Sequence, residues 1–212
     1  MLSAESRLRV HRLIEHARPP QRADRAAAGT LPIRAYHYCD AVTSAAGNDW
    51  WGFAPMELQL IWDGHDVFWY FEGAPDWIRP SPAAHFPSFS AVFDAAAPAA
   101  LRGCAPPFLT ALLEPGTVQI WTGLMARTAP GWSLLVRPPA NLPLPGGHSL
   151  YEGVVETDIW FGPLFTDLRL ARTHESIHLR PDFRCSRSSH CRGRPMPNRR
   201  STRPTLCPTW AV

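Results

Sequence analysis

Between Met56 and Trp62 apolar and polar residues alternate. Met56, Leu58, Leu60 and Trp62 fall on one side, and Glu57 and Gln59 on the other. Strand side chains point to opposite faces in turn, so this period of two predicts a half-buried strand. Asp63-Gly64 is a turn signal, and Val67-Phe68-Trp69-Tyr70-Phe71 reads as the partner strand of a hairpin. The same alternation runs from Thr117 to Thr128, with Val118, Ile120, Thr122 and Leu124 set against Gln119, Trp121, Gly123 and Met125. Pro130-Gly131 then turns the chain into a strand over Trp132 to Arg137, and 150–157, 164–170 and 176–180 supply three more. Helical spacing shows over 3–17, where Val10, Leu13, Ile14 and Ala17 share a face, Ser3 can cap and Pro19-Pro20 stops the run. A shorter helix is expected over 88–97 with Ser88 as cap, and one more turn over 108–113. Short strands separated by turn signals predict a mainly β fold, a sandwich or barrel of about seven to eight strands with an N-terminal helix. The chain divides into a helix and linker (1–32), a β-rich domain (33–183) and a tail (184–212). No internal repeat is seen.

Composition supports that division. Of 212 residues, 45% are hydrophobic and 18% charged, which is the balance of a globular chain with a real core. The 23 Pro argue against long helices. No run of about 18 apolar residues occurs, so no membrane span is expected. The N-terminus lacks a signal peptide's apolar stretch, which makes the cytoplasm the default compartment. Cys39 and Cys104 of the body are expected as reduced, buried thiols.

Charge is distributed unevenly. All 21 basic residues are Arg; residues 180–212 hold eight of them against one acid, a net of +7, whereas 1–179 carry −4. The basic pI therefore belongs to the tail. An Arg-rich arm could bind nucleic acid through phosphates. The mixture of Arg, Pro, Ser, Cys and His is also what GC-rich DNA encodes when read out of frame. That reading is preferred: 184–212 is then a disordered frameshift product, and an apolar strand expected after Phe183 is missing.

Three groups of residues could carry chemistry. Glu152, Glu156 and Asp158 would share one face of a strand, with Arg137 and Arg169 as candidate partners; a solvated face with Arg pairs is the preferred reading, and a site in which a carboxylate activates water, with Arg137 beside it, is the alternative. Asp63 and His65 at the hairpin turn are metal candidates, with His37, His85 and His148 as further donors, although the turn itself explains Asp63. Trp50, Trp51 and Trp132 with Asn141 could line a pocket for a flat ligand or a peptide ring. The sequence does not identify a cofactor.

The runs Ala129-Pro130-Gly131-Trp132-Ser133-Leu134-Leu135, Pro138-Pro139-Ala140-Asn141 and Glu152-Gly153-Val154-Val155-Glu156-Thr157-Asp158 resemble, in order and spacing, an uncharacterised bacterial family known only as a domain of unknown function. With 39–64 the likeness covers about 36–183. The Pro-Gly-aromatic turn, the Arg-Pro strand end and the Gly-Val-Val-Glu-Thr-Asp run are also similar to the β-clip pattern of deoxyuridine triphosphatases. This resemblance implies a β-clip-like fold and puts Glu156 where that family has its water-activating carboxylate. The family's Arg-Ser-Gly phosphate loop is replaced by Arg137-Pro138-Pro139, and proline offers no N–H to a phosphate. Its Gly-rich C-terminal motif is absent. The resemblance therefore implies a fold and not an activity.

The leading expectation is an accessory protein that binds a small molecule or peptide in an aromatic-lined pocket. One alternative is a metal-dependent hydrolase using Glu156 and Asp158, or an oxygenase using His65. The other is nucleic-acid binding through the tail.

Overall fold

The structure, a computed structural model, describes residues 8–80, 83–143, 146–182 and 184–192. Along the chain these form β1 (Leu8–Arg12), β2 (Gln21–Arg22), α1 (Ile33–Tyr38), α2 (Asp40–Gly47), β3 (Trp50–Phe53), β4 (Leu58–Trp62), β5 (Val67–Tyr70) and β6 (Ala83–Ala84). After α3 (Phe89–Ala96) come β7 (Leu109–Ala111), β8 (Thr117–Thr128), β9 (Trp132–Arg137), β10 (His148–Leu150), β11 (Gly153–Val155), β12 (Gly162–Leu170), β13 (Ile177–Leu179) and β14 (Arg184–Arg192). The fold is mainly β, in three antiparallel sheets.

The longest alternating run forms the longest strand, and β8 organises the molecule. Along one edge it pairs with β12; along the other it takes β7 at its first half and β1 at its second. With β10 and β6 these make the first sheet. The second runs β11-β9-β14-β3-β2, and the third runs β13-β4-β5.

Period-two patterning explains how the layers meet. Val118 and Ile120 of β8 and Leu168 and Leu170 of β12 pack with Leu58, Leu60, Trp69, Ile177 and Leu179 of the third sheet. Farther along the same strands, Thr122, Leu124 and Leu164 face the second sheet across a narrow gap, opposite Leu134, Val136, Gly52 and Ser186. On the reverse face Trp121 is fully buried, its ring edge-on to Phe89 of α3 at 5.3 Å.

The chain's first segment differs from the helix expected over 3–17. Leu8–Arg12 is a strand that pairs with 124–128 of β8. Leu8 and Val10 alternate with Arg9 and His11, so the segment satisfies a period of two as well as of 3.6. Five ladder positions on an otherwise open strand edge outweigh a helix of marginal length. The remaining apolar positions keep their inward role: Ile14 and Ala17 are buried where the chain folds over Gly123. Gly123 has φ 78°, its carbonyl accepts the Leu13 and Ile14 amides, and a Cβ there would meet Ala17. Residues 3–7 lie outside the described residues.

The tail boundary is also corrected. Residues 184–192 form β14, hydrogen-bonded to β3 on one side and β9 on the other. This segment is therefore an interior strand of the second sheet. Its Ser and Arg content did not signal a strand, because two neighbouring ladders supply the backbone partners that local sequence does not. Residues 193–212 lie outside the described residues. Smaller differences follow the same logic. The turn expected over 108–113 is β7. The run 150–157 divides into β10 and β11, which join different sheets. Ser88 precedes α3 at φ 62° without a side-chain cap. Of the two body cysteines, Cys39 is a free, half-buried thiol, while Cys104 is buried and disulfide-bonded.

Candidate functional site

A cleft opens where the chain changes sheets. Strand β10 pairs with β12 in the first sheet, and the Tyr151 amide donates to the Asp167 carbonyl at 3.0 Å as the last rung of that ladder. The chain then crosses to the second sheet, where β11 pairs with β9, and returns through a turn at 156–159 into β12. A register shift between Pro163 and Phe165 bends β12 at its entry. The space beside this excursion is about 230 Å³, lined by Gln119, Phe165 and Asp167 from the first sheet, and by Tyr151, Glu152 and Trp160 from the crossing segment. Val136, Gly153, Val155, Pro163 and Thr166 complete it.

Each of the polar groups has a positional cause. Gln119 and Asp167 are directly paired across β8 and β12, and Gln119 Nε2 donates to Asp167 Oδ1 at 3.0 Å. That bond fixes the plane of the carboxylate. Trp160 is held against the backbone of Gly162, where any Cβ would overlap its indole. The backbone amide of Trp160 donates to the Glu156 carbonyl at 2.9 Å, so the turn places the residue that forms the wall.

The carboxylates singled out in the sequence are not brought onto one face. Only Gly153–Val155 is strand, and 156–159 is turn, so the period that aligned Glu152, Glu156 and Asp158 is broken. Glu152 lines the cleft; Glu156 and Asp158 do not. Asp158 Oδ2 accepts the Gly131 amide at 2.9 Å, which pins the Pro130-Gly131 turn. Between them Thr157 is fully buried, its hydroxyl 2.8 Å from that of Thr128, while the Thr128 amide donates to the Thr157 carbonyl. The Glu-Thr-Asp run is thus a clasp on the β8–β9 turn. Arg137 lies with Nη2 3.8 Å from Oδ2 of Asp49, a carboxylate that is 3% exposed. Its position is that of counter-charge to a buried acid. Arg169 is exposed and opposes Ser149.

The metal candidates are likewise committed elsewhere. Asp63 Oδ1 accepts the amides of His65 and Asp66 at 2.8 and 2.7 Å. These two bonds hold its carboxyl below the ordinary value, the His65 amide contributing most. His65 is exposed at the turn, His37 lies on α1, and His85 Nε2 is 3.0 Å from the Ala105 carbonyl. His148 is buried on β10, and desolvation lowers its pKa. Among the described residues no group of three His, Cys, Asp or Glu could hold a metal ion.

The aromatic candidates are dispersed. Trp50 and Trp51 alternate across β3: Trp50 lines the gap between sheets, and Trp51 is buried with Ala23 and Phe53 under Arg184, whose guanidinium lies 4.2 Å from the ring centre. Trp132 is half-buried at the start of β9, where its carbonyl accepts the Thr128 hydroxyl. Asn141, at φ 58°, ties loops together, since its carbonyl accepts the Thr30 hydroxyl at 2.7 Å and its Nδ2 donates to Val42 at 3.4 Å. The cleft beside β12 takes its aromatic wall from Tyr151, Trp160 and Phe165, none of them among the sequence candidates. Gln119 and Asp167 were hidden because each looked like the solvent side of its own strand; only their register makes them a pair.

Some of the tail's charge is engaged in the fold. Arg184 stacks on Trp51, and Arg180 pairs with Asp182 at 3.4 Å. Among the described residues no helix is long and apolar enough to cross a membrane.

No family model matches the chain. No curated protein matches it. Among solved structures, it is similar to the dUTPase of phage phi11 of S. aureus, with a TM-score of 0.42 and 10% identity over 92% of this chain and 96% of that one. It is also similar to variants of the Staphylococcus bacteriophage 80alpha dUTPase. One has a TM-score of 0.45 and 9% identity over 95% of this chain and 91% of the other. A second has a TM-score of 0.44 and 8% identity over 92% and 96%. The activity in those descriptions is that of the phage proteins.

Proposed function

We propose that this chain is a small-molecule-binding accessory protein whose ligand sits in the cleft between β12 and the β10–β11 crossing. The observation that carries this reading is the Gln119–Asp167 pair, oriented by its own hydrogen bond at a cleft walled by Tyr151, Trp160 and Phe165. Binding sites combine apolar and aromatic walls with a few placed polar groups, and this cleft has that composition. Its volume suits one ring-sized molecule better than a peptide segment.

The test is a screen of ring-sized compounds read by Trp160 resonances in a protein carrying labelled tryptophan. The expected result is at least one compound that shifts Trp160 and that no longer does so in Gly162→Ala. In that variant the added methyl displaces the indole and reshapes the wall, at a stability cost of about 1–3 kcal/mol. A screen that leaves Trp160 unmoved, or hits that survive Gly162→Ala unchanged, would count against the cleft.

A further inference from the structure

The lining of the cleft is unbalanced in charge. It contains the carboxylates of Glu152 and Asp167 and the amide of Gln119, and among its lining residues there is no Arg, Lys or His. We infer that its ligand is a planar cation of the amidinium or guanidinium class, an inference that rests on the cleft reading above.

Three features converge on this chemistry. First, an ionised carboxylate is an acceptor only, so a ligand that displaces water from Asp167 must bring donors or leave the charge stranded. Oδ1 of Asp167 is already bonded to Gln119. Among the described residues Oδ2 shows no hydrogen bond and is left to meet a ligand N–H. Second, a forked, flat cation can address Asp167 with one N–H and Glu152 or the Gln119 carbonyl oxygen with another; charge-assisted bonds of this kind are shorter and stronger than neutral ones. Third, the walls are aromatic. Trp160 and Tyr151 both line the space, and aromatic faces attract cations that have partly lost their water. An anion meets the opposite field.

The experiment compares three probes of nearly one shape, benzamidine, benzamide and benzoate, titrated into the full chain and read at Trp160. Benzamidine is expected to bind, benzamide at least tenfold more weakly, and benzoate not at all. Glu152→Gln, a change at an exposed side chain that leaves folding intact, is expected to weaken benzamidine by about tenfold with little effect on benzamide. Asp167→Asn is expected to weaken it further; a thermal melt of each variant separates loss of binding from loss of fold. If benzamide or benzoate binds as well as benzamidine, the charge inference is overturned and the cleft remains a ligand site. If none of the three moves Trp160 while the wider screen yields a ligand that does, the charge inference is overturned and the cleft remains a ligand site; if the screen is also empty, both readings fall. Indifference to Glu152→Gln and Asp167→Asn in folded protein also overturns the inference.

Discussion

Thr157 has no exposed surface, and its neighbour Asp158 spends a carboxylate oxygen on the Gly131 amide. Both facts change what the Glu156-Thr157-Asp158 run is for. In a strand the two acids would face one way and invite a catalytic reading. In the turn that actually forms, they flank a buried hydroxyl that reaches Thr128. This accounts for the joint presence of the Pro130-Gly131 turn and the Glu-Thr-Asp run, which are bonded to each other. Asp158→Ala is therefore expected to cost about 0.5–1.5 kcal/mol in urea unfolding and to leave ligand binding at the cleft unchanged. A loss of binding without loss of stability would return Asp158 to the candidate site residues. His148 makes a pH prediction of definite sign. Its pKa is lowered in the folded chain by burial, so between the folded value and about 6.5 the unfolded chain binds more protons. Stability should thus be level above about pH 6.5 and fall as the pH drops below it, and His148→Phe should flatten that slope in melts across the range. Sequence could not show this burial. His148 follows Gly146-Gly147 in what reads as loop, and only pairing with Leu170 of β12 takes it inside.

Strands were legible where both faces of the sheet left a mark on them. The bounds of β8 and β9 are those the alternation predicts, and the β4–β5 hairpin turns at Asp63-Gly64 as expected. Where a strand borrows its partners from elsewhere, the pattern is silent. The clearest case is β14. The out-of-frame reading of this segment expected an apolar strand to be missing; what the structure lacks is apolar side chains on a strand that is present. Ser186 and Ser188 face a mainly apolar gap of about 30 Å³ lined by Leu8, Val10, Leu124, Leu134 and Leu164 among others. Ser186 fits closely over Gly52, where an added Cβ would collide with its hydroxyl, but Ser188 is only half-buried and paired with Val136 and Trp50. Ser188→Val replaces the hydroxyl with two methyl groups and raises strand propensity, so it is expected to stabilise the chain by about 0.5–2 kcal/mol. A lowered melting temperature would mean that the gap is already filled by side-chain motion.

At the scale of the whole molecule, the first sheet is organised by β8 and the second by β14. Strand β8 holds β12 on one edge and β1 and β7 on the other, and β14 holds β3 and β9. A division of the chain at 183 therefore cuts through the second sheet and not between a domain and its tail. This bears on the nucleic-acid reading, whose natural test is to delete the Arg-rich end. Removing everything after Phe183 would take away the six rungs that join β14 to β9 and the pairing to β3, uncover Trp51 from Arg184, and open the gap between the first and second sheets. Unpaired interior N–H and C=O groups and two new open edges cannot be offset by the rest of the sheet. The chain ending at Phe183 is thus expected to lose its cooperative unfolding transition by circular dichroism, and any binding lost with it would report unfolding. A variant of the full chain with Arg199, Arg200 and Arg203 changed to Gln lowers the basic charge with β14 in place. If the chain ending at Phe183 instead unfolds cooperatively and at the same urea midpoint as the full chain, β14 is dispensable and the boundary at 183 stands.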